Sequence, residues 1–252
     1  NTIKLGTGLI DGKWNFEGRL SKITSDGFID RSSSDLRSYY LSGSYLGEKT
    51  SIQAVAFSGH ERTHQAWYGI PLSLLNNNSD SAQTYNPYDY DNEIDNYQQS
   101  HYQLHLTKKP SNKLKLNASF HYTRGKGYFE QYVGSEFNST MYNGDYSFGK
   151  DLFSYYGLDD IIISGDTITK TNLIRRRWLD NHFYGVVYSA EYTEDKFQLI
   201  LGGGANQYLG AHYGEVIWSQ YASNSNIRHR YYDNDTTKND INVYGKLNYN
   251  LN

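Results

Sequence analysis

The chain has 252 residues, 37% of them apolar, and a formal net charge of −3; that is a thin supply of apolar residues for a compact soluble interior, and without a basic excess or a large block of Lys and Arg it offers no electrostatic footprint for nucleic acid. Cysteine is absent, which removes disulfides, thiolate nucleophiles and cysteine-ligated zinc or iron–sulfur centres. Aromatics make up 16%, with 26 Tyr against 10 Phe and 4 Trp, so the excess is in a ring whose apolar body and polar tip suit an interface better than a core.

No stretch approaches the roughly 18 apolar residues of a membrane helix, and Asn1 to Ile10 lack the basic-then-apolar order of a signal peptide. A chain that spans a bilayer without such a helix does so as a closed barrel, in which only alternate residues face lipid and each segment's signal is weak.

In chain order, weak alternation first marks a strand over Thr2 to Ile10, followed by the two-residue turn signal Asp11-Gly12. Lys13 to Ser21 then sets Trp14, Phe16, Gly18 and Leu20 against Lys13, Asn15, Glu17, Arg19 and Ser21, one greasy face and one wet face. Leu36 to Leu46 and Thr50 to Ser58 follow around the tight turn Gly47-Glu48-Lys49. Gln99 to Thr107 is joined through the Pro110 turn to Lys113–Thr123, whose alternation is the clearest of all: Leu114, Leu116, Ala118, Phe120 and Tyr122 against Lys113, Lys115, Asn117, Ser119, His121 and Thr123. Phe183 to Tyr192 and Phe197 to Ala205 flank the turn Thr193-Glu194-Asp195. Last, Ile241, Val243, Gly245, Leu247 and Tyr249 alternate with polar partners. A helix would scramble every one of these sets.

About nine strands of roughly nine to eleven residues result, the length that crosses a bilayer when tilted and longer than the five or six usual in soluble sheets. The remaining links are Ser25 to Asp35, Thr63 to Asn96, Gly125 to Asn181 and Gln207 to Asn239, so short and long connections alternate. In a meander this puts the tight turns at one rim and the long loops at the other, as in outer-membrane barrels. A soluble sandwich or up-and-down barrel explains the unequal loops poorly. An odd strand count with unpaired edges, costly in hydrocarbon, is expected to be completed by further strands.

Five stretches, Gly8-Leu9-Ile10-Asp11-Gly12-Lys13-Trp14, Ser25-Asp26-Gly27-Phe28-Ile29-Asp30-Arg31, Gln65-Ala66-Trp67-Tyr68-Gly69-Ile70-Pro71, Tyr85-Asn86-Pro87-Tyr88 and Arg175-Arg176-Arg177-Trp178-Leu179-Asp180-Asn181, resemble the barrel of TonB-dependent outer-membrane receptors of the Bacteroidetes type. The resemblance implies an all-β fold in which 1–252 is an antiparallel meander, a partial transmembrane barrel supplying about nine of some 22 strands, with the plug domain and remaining strands outside these residues. It also implies TonB-coupled uptake of a scarce nutrient of the iron-siderophore, haem or cobalamin class, no catalysis and no cofactor, in the bacterial outer membrane. The implied partners are membrane lipid and lipopolysaccharide, the rest of the receptor, TonB acting through the plug, and a surface lipoprotein over the loops. The alternatives are a soluble glycan-binding all-β module and an outer-membrane β-barrel hydrolase.

For ligand contact, aromatics cluster in the expected long loops: Trp67, Tyr68, Tyr85, Tyr88 and Tyr90, then Tyr128, Phe129 and Tyr132, then Trp218 and Tyr221, rigid amphipathic rings that hold a bulky polar ligand at low entropic cost. Arg175, Arg176 and Arg177 beside Trp178 offer guanidinium forks for carboxylate or phosphate, with a rim of solvated charges as the plainer reading. Lys13, Glu17, Arg19, Lys113, Lys115 and His121 are expected to face the lumen. Asp89, Asp91, Glu93 and Asp95 place hard oxygen donors close together, but without the EF-hand spacing, so calcium is a minor reading beside a solvated acidic loop. His60 and His64 do not form a metal motif. Gly202-Gly203-Gly204 points to a bulge or a close contact across the sheet.

Overall fold

The structure, a computed structural model, describes residues 1–70, 72–75, 80–134, 151–221 and 226–251, with the side chains of 73, 80 and 81 left aside. Pro71 and parts of the expected long loops thus lie outside the described residues.

One antiparallel sheet holds nine strands in sequence order, β1 (Thr2–Gly6), β2 (Trp14–Ser25), β3 (Ser34–Leu46), β4 (Thr50–His64), β5 (Ile94–Lys108), β6 (Leu114–Val133), β9 (Leu173–Glu194), β10 (Phe197–Ser219) and β11 (His229–Tyr249). Short helices α1 (Leu72–Leu75) and α2 (Asp80–Gln83) lie between β4 and β5, and α3 (Leu152–Tyr156) with the hairpin β7 (Ile161–Ile163) and β8 (Asp166–Ile168) lies between β6 and β9. Tight connections at 47–49, 109–113 and 195–196 alternate with long ones at 65–93 and 134–172, as the sequence pattern required. Asp11 and Gly12 both take positive φ, 49° and 67°, the backbone a primed hairpin turn demands.

Three expectations need correction. The strands run well past their expected ends, β6 to 20 residues, β9 to 22 and β10 to 23. Most of the expected link Gln207 to Asn239 is therefore strand, and its loop shrinks to 220–228. Tyr128, Phe129, Tyr132, Arg175, Arg176, Arg177, Trp178 and Trp218 accordingly sit on strands rather than in loops. Alternation of grease with polarity fades toward the long-loop end, while ladder hydrogen bonding continues; the pattern therefore lost the strand before the backbone did.

Register carries the two faces across the whole sheet. Phe16 stands opposite Gly43, then in turn Ala54, Leu104, Phe120, Val186, Ala205 and Ile241. One residue along, Glu17 leads through Ser42, Val55, Gln103, His121, Gly185 and Asn206 to Asp240. Because a strand alternates with a period of two, the first row and the second lie on opposite faces at every strand. Tyr39, Tyr102, Tyr122 and Tyr184 share the apolar face toward the long-loop end, and Trp14, Tyr45, Tyr192 and Tyr249 share it toward the tight turns. Tyr184 to Tyr192 covers about 26 Å along the strand, close to the length of strand that crosses an apolar band when tilted.

The exposure is that of an inside-out protein. Phe120 is 47% and Val243 75% exposed, whereas Lys115, Asn117, Ser119, His121 and Thr123 on the other face of β6 are half-buried. Side chains crowd on the concave side of a curved sheet and splay on the convex side, so the polar face is the inner one. No second sheet covers the apolar face among the described residues, which removes the soluble sandwich. Glu17, Arg19, Lys115 and His121 lie on the polar face. Lys13 and Lys113 occupy the turns before β2 and β6, Lys113 reaching Glu194 in an ion pair. Gly203 pairs regularly with Val243 and Tyr188, without a bulge. A side chain at Gly202 would fall 2.7 Å from the Tyr244 ring, so the glycine run serves close approach.

Above the girdle, packing turns conventional. Val133, Leu152, Tyr156, Leu158, Leu173 and Val216 form a small buried core where α3 docks on β6, β9 and β10. Asp151 caps α3 by accepting from the Ser154 amide at 2.9 Å, and Gly157 ends it at φ 59°, the usual pair of helix boundaries. Where β5 stops and leaves β6 an open edge, the Gln65 amide donates to the Glu130 carbonyl at 3.2 Å and holds the 65–93 connection against that edge.

Candidate ligand-binding site

The rows of residues above the girdle build a groove on the polar face. Glu61, Tyr97, Gly127, Leu179, His212 and Asn234 stand opposite one another in turn across six strands. The next row on the same face runs Asp95, Phe129, Arg177, Gly214, Tyr232. Together they enclose about 500 Å³. Glycine at two of these positions lets neighbouring side chains and backbone pack closely: a Cβ at Gly127 would fall 2.5 Å from the Tyr97 Cα, and one at Gly214 would fall 2.4 Å from the Tyr231 and Tyr232 rings.

Charge is separated along this groove. Asp95 and Glu61 hold one end, and burial, reinforced by the Glu61 charge, pushes the Asp95 carboxyl up to about 6. Arg177 lies at the other end with its guanidinium 5.2 Å from the Phe129 ring centre and 5.8 Å from that of Tyr232, its Nε donating to the Tyr232 hydroxyl at 3.3 Å. Among the described residues, Arg176 is the one member of the arginine run in an ion pair. Trp67 packs edge-on to Phe129 at 5.6 Å and to Tyr88 at 6.3 Å, so the 65–93 connection reaches the rim of the groove.

The other candidates divide. Strand alternation sends Arg175 and Arg177 to the polar face and Arg176 and Trp178 to the opposite one. Arg175 is committed to structure, donating to the Gln131 Oε1 at 3.0 Å and the Tyr156 hydroxyl at 3.5 Å beside the small core. Arg176 stacks 4.3 Å from Tyr128 and pairs with Glu130 at 2.7 Å, while the Tyr90 hydroxyl donates to the second Glu130 oxygen at 2.7 Å. Burial and that acceptor push the Tyr90 phenol up to about 12. Trp178 lies 4.6 Å from Tyr128 and donates to Glu215 at 3.0 Å. Tyr68 packs on buried Tyr88 at 5.1 Å, Tyr132 lies 6.2 Å from Tyr90, and Tyr85 is half-buried. Trp218 and Tyr221 are exposed near 171–172, away from the groove.

The acidic run does not converge. Asp89 and Asp91 are exposed, Glu93 is buried and Asp95 faces the groove; among the described residues no three acidic or His side chains group as metal ligands. Glu93 matters for another reason. At 3% exposure, its burial, aided by the Asp89 charge, pushes its carboxyl up to about 8. A neutral carboxyl in the docked connection and an ionised one in the undocked chain make docking strongest below the ordinary Glu value and progressively weaker as pH rises through about 8. Hydrogen exchange over 84–94, corrected for intrinsic rates, is expected to show protection falling from pH 5 to pH 8, and Glu93→Gln is expected to flatten that dependence. A wild-type profile that is already flat would contradict the assignment.

Glu61, Tyr97, His212 and Tyr232 escaped the sequence reading because the groove assembles from strands far apart in the chain. The available signal was register: counting back from the tight turns aligns these residues once the strands are allowed to run on.

The geometry defines a class: a segment of the wall of a large antiparallel barrel, with a lipid-length apolar outer band and a tall polar upper storey. The fold is that of a TonB-dependent receptor barrel segment. Among solved structures, the chain is similar to the copper transporter OprC (TM-score 0.56, 13% identity, 98% of this chain and 33% of that one). It is similar also to BauA, the ferric preacinetobactin receptor from Acinetobacter baumannii (TM-score 0.55, 8% identity, 99% and 36%), and to the RagAB peptide importer (TM-score 0.56, 11% identity, 94% and 28%). The chain therefore spans about a third of the length of the structures it matches. No protein-family model matches it, and no curated protein matches it in sequence.

Proposed function

We propose that these residues form part of the barrel of an outer-membrane receptor of the Bacteroidetes type that imports a nutrient by coupling to TonB, and that the groove between Asp95 and Arg177 contributes to ligand capture. The observation that carries the proposal is the apolar row from Phe16 to Ile241 lying exposed on one face while charged and polar residues occupy the other. An open sheet edge is untenable in hydrocarbon, so further strands complete the barrel and a plug fills it, with TonB acting through the plug. Lipid and lipopolysaccharide surround the apolar band, and a surface lipoprotein over the loops belongs to the same reading. The function proposed is transport without catalysis, in keeping with the transporter, receptor and importer among the similar structures. The expected iron-siderophore, haem and cobalamin classes stand beside the copper, ferric preacinetobactin and peptide named for the similar structures.

The test is genetic. Deleting the full-length gene is expected to abolish growth on one limiting nutrient, and the deletion is expected to have no further effect in a strain lacking TonB. A growth defect of equal size with and without TonB, or a full-length protein that is folded and soluble without detergent, would refute the proposal.

A further inference from the structure

We infer that the groove takes a zwitterionic ligand of short-peptide size, its cationic end at Glu61 and Asp95, its anionic end at Arg177 and its apolar middle over Phe129; this rests on the capture role proposed above. The three positions are consecutive in one register row, Asp95 opposite Phe129 and Phe129 opposite Arg177. Two strand steps of about 4.8 Å place the backbones that carry Asp95 and Arg177 about 10 Å apart, the length of roughly three extended residues. A peptide of that length carries its amine and its carboxylate at this spacing.

Each end is chemically suited. Arg177 has no carboxylate partner among the described residues and is held between two rings, so its fork is oriented in advance for a carboxylate. At the opposite end two carboxylates lie together with no cation among the groove-lining residues beside them, and burial, with the Glu61 charge, disfavours the ionised Asp95 carboxylate in a way that an ammonium would offset. The same carboxylates act against a polyanionic chelate, whose charges would meet them at one end wherever it engaged Arg177 at the other.

The probe is glycyl-phenylalanyl-glycine, with its N-acetyl and C-amide forms, titrated calorimetrically into the full-length protein in detergent. The free tripeptide is expected to bind, and each capped form about tenfold more weakly. Arg177→Gln is expected to lose about tenfold toward the free peptide and almost nothing toward the C-amide. Asp95→Asn with Glu61→Gln should behave likewise toward the free and N-acetyl forms. Heat-modifiable migration on gels confirms that each variant is folded, and Arg177, exposed on the strand, tolerates the change. Equal binding of free and capped peptides, or no binding at millimolar concentration, overturns the inference. If a ferric tricatecholate binds instead and loses affinity in Arg177→Gln, the zwitterionic class falls while import stands; a TonB-independent growth defect would remove the import role itself.

Discussion

Arginine at Phe16 or Leu116 is expected to cost the folded barrel about 2–4 kcal/mol at mid-depth, while Lys115→Ala is expected to cost almost nothing. Leu116 and Lys115 are adjacent on β6 and differ only in the face they present, so the pair isolates solvent from backbone effects. Leu116 stands opposite Ala190 on the apolar face, whereas Lys115 stands opposite Glu191 on the polar one. A guanidinium on the first face must enter hydrocarbon or distort the bilayer around it; on the second it meets water. Urea titration of the full-length protein refolded into lipid vesicles measures the difference. If Leu116→Arg cost no more than Lys115→Ala, the outward assignment of the apolar rows would be wrong.

Removing Arg176 by Arg176→Met is expected to weaken the docking of the 65–93 connection by about 3–5 kcal/mol. The Glu130 side chain is 3% exposed and its two oxygens are bound by Arg176 and by the Tyr90 hydroxyl. Deleting the cation leaves a buried charge with a single neutral donor, and the structure relieves it by letting water in, which releases Tyr90. The companion change Glu130→Met should recover most of the loss, because an apolar pair of similar volume removes the stranded charge. Hydrogen exchange at 84–94 reads both variants. Loss of protection across β9 and β10 together with the connection would point to a global role instead.

The two-faced strands were legible in the sequence because lipid imposes a rule on alternate residues: in β2, β6 and β11 a polar residue facing outward is costly, so the pattern is strict. The order of tight turns was legible for a similar reason, since Asp11-Gly12 and the Pro110 turn admit few conformations. The upper storey was not. There α3 and the 65–93 connection cover parts of β6, β9 and β10, and residues such as Tyr128, Glu130 and Arg176 satisfy a strand without alternating. The arginine run shows the consequence. Read as a loop, Arg175, Arg176 and Arg177 form one clamp; on a strand they divide between two faces and three tasks, supporting α3, holding Glu130 and facing the groove. Asp95 was noticed for its acidic neighbours, whereas its structural partner is Glu61 on the adjacent strand, a relation fixed by register alone.

β9 and β10 are 22 and 23 residues long. At about 3.3 Å per residue each extends more than 70 Å, of which a tilted crossing of about nine to eleven residues claims less than half. On the proposed reading, the surrounding medium changes from oil to water between Tyr184 and His182, two neighbours on the same face of one strand. Sequence change in such a strand is therefore governed by height: below this frontier substitutions are screened for greasiness, and above it for fit with the side chains alongside. The part of the molecule that meets the outside world can thus diversify while the part that anchors it stays chemically conservative.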